Sequence, residues 1–319
     1  MSYRVLITGA GTTTAITALK GLRAAGDAAI QVVMGDMKAD CAGAHLGDEF
    51  VLMPPAQAPD FIERVLGICR DRRIDLVIPI IDYEFIGWAR AAGRLAEAGT
   101  QVAISPVAAL RTCEEKDQTE RYFRSLGIPA VATWRAEAIH DPTALPFPVY
   151  LKPRCGRASL DNYRAQDPEE YRFYVKQVPD AIVQPFVAGT EVTIDTMSDL
   201  RGRFLAASPR IRLEVKSGQA YRSRTIDDPN LVALARRIVE GLPIHGPSNI
   251  QCFLTDSGPR FFEINARFGA GSILSIRAGM NGPMALVALA RGQALPDLTP
   301  RPGVMMLRYW QEVFVPKAE

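Results

Sequence analysis

Histidine is scarce in this chain and cysteine is scattered. The 319 residues hold three histidines and five cysteines, and Cys41, Cys69, Cys113, Cys155 and Cys252 lie far apart with no C-x-x-C pair. That spacing argues against a disulfide framework and against a zinc site built from neighbouring ligands. Long hydrophobic runs are missing as well. Apolar stretches such as LVIPII at 76–81 fall far short of the roughly 18 residues that span a bilayer. The amino terminus turns polar too early for a signal peptide, so a cytoplasmic protein with no membrane partner is expected. Nor is there an excess of either charge: 37 Lys and Arg stand against 35 Asp and Glu, a net charge of +2. Nothing in that balance suggests a nucleic-acid groove, so any anionic partner must be recognised by a local site.

What remains is a globular composition, 48% hydrophobic and 23% charged, on a chain long enough for two or three subdomains. The first hundred residues alternate apolar runs (YRVLIT, AIQVVM, EFVLM, LVIPII, QVAIS) with helical segments near 15–25, 60–72 and 84–98. Continuous apolar strands separated by helices predict a doubly wound parallel sheet. After Pro106 the texture changes to a charged helix from Cys113 that stops at Gly127. A boundary near 112 separates residues 1–111 from a small α+β unit at 112–187, and 188–319 forms a third unit. In that third unit NIQCFLT, DSGP and RFFEINARF read as strand, loop and strand.

Side chains alternate along a strand, which places Glu263, Asn265 and Arg267 on one face and Phe262, Ile264 and Ala266 on the other. Two oxygen ligands and a guanidinium along about 13 Å suit a hard cation with a phosphate beside it. Gln251 adds a further oxygen, and it shares that face if the hairpin loop holds three or five residues rather than four. Lys152 ends an apolar strand, where an ammonium is costly to desolvate without an anion. Lys116, taken alone, reads as a solvated surface lysine. The stretch IVQPFVAGTEVTID carries Gln184, a ladder-breaking Pro185, Gly189 and Glu191, either an edge strand with a turn or a nucleotide contact.

In this order the residues Lys116, Lys152, a glycine-containing loop, Gln184 to Glu191, Gln251 and Glu263-x-Asn265-x-Arg267 resemble the ATP-grasp superfamily. The match is to its carbamoyl-phosphate-synthase large-subunit-like and pyrrolysine-biosynthesis-ligase-like branch, covers about residues 1–290, and is strongest at SNIQCFLTDSGPRFFEINARFGAGS. The resemblance implies an α/β, ATP-grasp fold: an N-terminal doubly wound parallel sheet domain, a small α+β lid domain and a C-terminal α+β domain. It implies ATP and Mg2+, with two ions, as cofactors. Lys116 and Lys152 would hold the phosphates, Lys152 also lying near the adenine. Gln184 and Val187 would offer main-chain contacts to the adenine edge, and Glu191 would hold the ribose. Glu263 and Asn265 would bind magnesium, Glu263 bridging two ions, with Gln251 standing where many relatives place an aspartate. Arg267 would stabilise the phosphoryl group or the acyl phosphate.

Two departures from the pattern stand out. The loop RCGRASLDNY keeps only Gly156 where a glycine-rich lid is expected, and Arg157 and Ala158 follow it; Arg154 or Arg157 could contact phosphate in compensation. Gln251 removes one negative charge from the metal site. Cys155 sits between two arginines, a setting that favours a thiolate.

The expected activity is that of a carboxylate–amine ligase on small amino-acid-like substrates, with a homodimer left open. The acceptor substrate is expected at Asp82 and Glu84 opposite Arg210 and Arg212, with Gly11 lining the same side. Two other readings stand beside it. One is an NAD(P)-dependent oxidoreductase using GAGTTTAI, with Asp36 on the ribose, although Thr14 replaces the third glycine. The other is an ATP-binding regulatory protein without turnover. The carboxyl end RPGVMMLRYWQEVFV offers only a final strand.

Overall fold

The apolar runs of the amino-terminal third form a five-stranded parallel sheet. A computed structural model describes residues 2–156, 161–216 and 218–315. Strands β1 (Tyr3–Thr8), β2 (Ile30–Asp36), β3 (Glu49–Leu52), β4 (Leu76–Ile78) and β5 (Gln101–Val102) lie in the order β3-β2-β1-β4-β5. Both faces are buried, as the continuous apolar runs require. Val5, Ile7, Val32 and Met34 face one core with helix α1 (Thr13–Arg23), while Leu6, Val33 and Val77 face another with α2 (Phe61–Asp71) and α3 (Phe85–Glu97). Strand order reverses beside β1, so the chain leaving β1 and the chain leaving β4 flank a crevice at the carboxyl ends of the strands.

The next stretch is two helices rather than the single one expected from Cys113. Helix α4 (Val107–Glu114) and α5 (Lys116–Ser125) are separated by Glu115 in an extended conformation. The break turns Lys116 toward the chain leaving a strand of the next sheet, where its backbone N–H donates to the Arg154 carbonyl at 3.2 Å.

Strands β6 (Trp134–Arg135), β7 (Val149–Pro153), β8 (Tyr163–Ala165) and β9 (Ala181–Pro185) make a four-stranded antiparallel sheet in the order β6-β9-β7-β8. Helix α6 (Pro168–Tyr174) packs on it, capped by Asp167, whose carboxylate accepts from the N–H groups of Glu169 and Glu170. The core of this unit is small: Val149, Leu151, Ala165, Tyr171 and Val183.

The third sheet is antiparallel and six-stranded. Its strands are β10 (Thr190–Ser198), β11 (Phe204–Lys216), β12 (Gln219–Thr225), β13 (Pro247–Thr255), β14 (Gly258–Asn265) and β15 (Met305–Leu307), ordered β14-β13-β10-β11-β12-β15. Helix α7 (Pro229–Gly241) covers one face. Helices α8 (Ser272–Ala278) and α9 (Gly282–Ala290) run back to the first sheet, where Ala285, Leu286 and Val287 enter the same core as Val5 and Ile7. That shared core holds the first and third sheets together. The final strand is only three residues long, and Tyr309, Trp310 and Phe314 beyond it are exposed. No single helix among the described residues is long and apolar enough to cross a membrane.

Candidate functional site

All three sheets contribute walls to one cleft of about 990 Å3. Residues 11–14 and 80–83 enter it from the crevice of the first sheet, Lys152, Gln184 and Val187 from the small sheet, and Glu191, Gln251, Glu263, Asn265 and Arg267 from the third. Among the described lining residues five cations (Lys116, Lys152, Arg210, Arg212, Arg267) face three carboxylates (Asp82, Glu191, Glu263). A cavity with that surplus favours a polyanion.

The hairpin of β13 and β14 sets the geometry at one end. Its connection is a two-residue turn, Asp256 and Ser257, because Thr255 pairs with Gly258. The loop of three or five residues expected from sequence is therefore absent, and an even loop alone would place Gln251 and Glu263 on opposite faces. A β-bulge corrects the parity: Cys252 pairs with Phe261 and Gln251 with Glu263, leaving Phe262 as the extra residue. Phe262 consequently faces the cleft instead of the core. It stacks on Phe253 with ring centroids 4.8 Å apart and planes 20° from parallel, and the Lys152 ammonium lies 5.5 Å from its centroid. An aromatic platform beside a cation suits a planar base bearing phosphates.

Lys152 is largely removed from water, and desolvation pushes its pKa down to about 8; Glu263 and Glu191 favour its charge and Lys116 opposes it. Lys116 is buried, not the solvated lysine that its bare context suggests. Its ammonium donates to the carbonyls of Gly156 at 2.8 Å and Pro153 at 3.3 Å. Gln184 is buried and its amide donates to Thr133 Oγ1 at 2.8 Å. Val187 lies past the last ladder pair, Val149 with Pro185, and lines the cleft.

The Glu263 carboxylate accepts no hydrogen bond from the described residues, whereas Asn265 Nδ2 donates to Asn249 Oδ1 at 3.2 Å. One carboxylate with amide oxygens from Asn265 and Gln251 is a hard-oxygen donor set. Among the described residues no group of three His, Cys, Asp or Glu could hold a metal by itself. Such a set fits magnesium, which keeps to one or two carboxylates and takes its remaining ligands from phosphates and water.

The other end of the cleft is built from paired arginines. Arg210 and Asp195 form a buried ion pair at 2.7 Å, and Asp195 also accepts from Ser272 Oγ at 2.8 Å and Ser275 Oγ at 2.6 Å. Gly271 packs so closely on this guanidinium that a Cβ there would lie 2.7 Å from it. Arg212 pairs with Glu191 and donates to the Gly218 carbonyl at 2.8 Å. Glu191 thus lines the cleft with its carboxylate already engaged. Arg267 donates through Nε to Asp82 Oδ1 at 2.9 Å and through Nη1 to the Phe268 carbonyl at 3.1 Å.

Several sequence expectations are corrected here. Arg154 does not line the cleft, because Glu115 at 2.6 Å and Asp180 at 2.8 Å hold its guanidinium. Arg157 and Ala158 lie outside the described residues. Glu84 turns into the core, where it accepts from Trp88 Nε1 at 3.1 Å and burial pushes its pKa up to about 7. The expected pairing of two acids opposite two bases is thus replaced by individual ion pairs. Burial also pushes the Cys155 thiol up, against the lowering effect of Arg154, so no thiolate is favoured. Gly9 has φ of +66°, a conformation that favours glycine. The Gly11 amide is not free for a ligand, since it donates to Asp36 Oδ2 at 2.7 Å. Asp36 therefore acts as the turn's own cap, and its other oxygen accepts from the Lys38 N–H at 3.1 Å.

Sequence reasoning missed Asp195, Ser272 and Ser275, whose meeting depends on helix α8 folding back over β10. It also missed Asn249, although the two-residue alternation that placed Glu263 and Asn265 applies equally to Asn249 and Gln251.

Residues 177–313 match the family described as ATP-grasp in the biosynthetic pathway with Ter operon, and residues 5–103 match a PylC-like N-terminal domain. Among solved structures, N5-carboxyaminoimidazole ribonucleotide synthetase from Thermus thermophilus is similar at 19% identity and a TM-score of 0.72, over 95% of this chain and 82% of that one. An L-amino acid ligase from Bacillus licheniformis is similar at 17% identity and 0.72, over 94% and 75%. The biotin carboxylase domain of Hydrogenobacter thermophilus 2-oxoglutarate carboxylase, in complex with MgADP, ADP and bicarbonate, is similar at 14% identity and 0.73, over 96% and 73%. At these identities the likeness is one of fold.

Proposed function

We propose that this chain is an ATP-grasp enzyme, as the matches of residues 177–313 and 5–103 support, and that it is an ATP-dependent carboxylate–amine ligase acting on small amino-acid-like substrates. The observation that carries this reading is the convergence of Lys116 from helix α5, Lys152 from the small sheet, and Glu263, Asn265 and Arg267 from β14 and the turn after it on one cleft. The aromatic platform of Phe253 and Phe262 and the chain at Val187 would take the adenine, and Lys116 and Lys152 the phosphates. Magnesium, held through Glu263 with the amide oxygens of Asn265 and Gln251, would neutralise phosphate charge. The γ-phosphoryl group would pass to a carboxylate oxygen of the substrate, and an amine would then displace phosphate from the acyl phosphate. Phosphoryl transfer depends on positioning and charge neutralisation, so a protein nucleophile is not required. Arg267, already directed by Asp82, would stabilise charge on the transferring group.

The test is ADP release and product mass over pairs of amino acids with MgATP. Glu263→Gln and Lys152→Met should each lower ADP formation by about 10²- to 10³-fold, the usual size of one lost electrostatic contact to the transition state. EDTA should abolish turnover in the wild type. A wild-type protein that neither binds MgATP nor forms ADP with any pair overturns the proposal.

A further inference from the structure

Behind the acceptor end, against two residues that line it, lies a guanidinium with no carboxylate partner among the described residues. Arg308 follows β15 and is half-buried. Its Nη2 donates to the Ala270 carbonyl at 2.7 Å and its Nη1 to Gln219 Oε1 at 2.7 Å. Both partners are neutral oxygens, and both residues line the cleft. The cleft arginines Arg210, Arg212 and Arg267 are each neutralised, by Asp195, Glu191 and Asp82. Among the described residues no carboxylate pairs with Arg308. Burial, followed by the nearby Arg210 charge, lowers its pKa, as expected of a cation held without its counter-ion.

Gln219 shows where that counter-ion would sit. Its amide oxygen accepts from Arg308 and also from Thr13 Oγ1 at 3.1 Å, across 206 residues of chain. Two donors from opposite sides of the cleft thus converge on one oxygen of an exposed, displaceable side chain. Thr13 opens helix α1, whose positive end also favours an anion.

We infer that Arg308 and Thr13 form a carboxylate-binding subsite, that a carboxylate entering it displaces the Gln219 amide, and that the amine-bearing substrate is an amino acid docked there by its own, non-reacting carboxylate. This rests on the ligase reading for the identity of the substrate. A carboxylate offers two oxygens to the guanidinium fork and a full charge, both of which the glutamine amide lacks.

The experiment titrates wild-type protein with L-alanine, L-aspartate and L-glutamate, each beside its α-amide, with and without MgADP. At least one free acid should bind at least tenfold tighter than its amide. Arg308→Lys and Thr13→Val should each weaken that acid by about tenfold, the effect of one hydrogen bond to a charged group, while the affinities for the amide and for MgADP change less than twofold. Gln219→Ala should bind the acid as tightly as wild type or tighter, since a competitor is removed; a purely structural glutamine would show the opposite. Equal binding of acid and amide, failure of all three acids to bind, or parallel loss of MgADP affinity in the variants overturns the subsite. Failure to bind MgADP with the acid–amide preference intact overturns the ligase reading and leaves the subsite standing.

Discussion

Lys152 and Glu84 show how one side chain's surroundings set its chemistry. Lys152, with a pKa pushed down to about 8 by desolvation, loses its charge as pH rises through 8, and a bound phosphate would restore it. MgATP affinity should therefore fall by about tenfold between pH 7 and pH 9, and isothermal titration should show proton uptake on binding near pH 8. Lys152→Met should bind weakly at both values, with that pH step gone. Glu84 lies the other way, raised to about 7 from an ordinary 4.5. The folded state therefore holds this proton more tightly than the unfolded chain. The resulting stability is complete below pH 4.5, declines as pH rises to about 7 and stays flat above. Glu84→Gln should remove the decline, gaining on the order of 2–3 kcal/mol over wild type between pH 5 and pH 8, as read from urea denaturation at both values. A gain equal at the two values would show that Glu84 does not titrate in this range.

At the scale of elements, the hairpin and the buried network solve separate problems of placement. The bulge at Phe262 lets a two-residue turn coexist with Gln251 and Glu263 on one face, and it brings an aromatic ring into the cleft. Phe262→Ala should weaken MgATP binding by about fivefold to twentyfold, the value of one stacking and cation–π surface, without disturbing the hairpin. Asp195 ties β10 to β11 through Arg210 and to α8 through Ser272 and Ser275. Removing one partner of a buried ion pair strands the other charge, so Asp195→Ala should cost about 3–5 kcal/mol in chemical denaturation. Serine-to-alanine changes at 272 and 275 should cost less, because the Arg210 pair survives them. Period-two alternation made the acid–amide–arginine face readable in advance. The bulge was not readable, because parity depends on a backbone irregularity that no side-chain pattern marks.

Across the whole molecule, stability is distributed unevenly. The first and third sheets share a core through α9, whereas the small sheet packs on a separate, smaller cluster of Val149, Leu151, Ala165, Tyr171 and Val183. Local opening is easiest where little apolar surface is buried. Amide hydrogen exchange should therefore be faster in β7–β9 than in β1, β10 or β13, and MgATP should slow it chiefly in β7 and β9, which carry Lys152 and Gln184. Equal protection in all three sheets would count against a separately opening unit. Much was readable from the chain alone: buried parallel strands from unbroken apolar runs, the antiparallel hairpin, and several of the charged residues that line the cleft. These follow from periodicity and burial, which are local properties. The tertiary structure alone decided which charges remain available. Arg154 is consumed by Glu115 and Asp180, Glu84 by the core and the Gly11 amide by Asp36, while Arg308, in a segment with no sequence signal, reaches the cleft-lining Gln219 and Ala270 with no carboxylate partner among the described residues. Pairing of charges is settled by distance in space, and sequence patterns report only on neighbours along the chain.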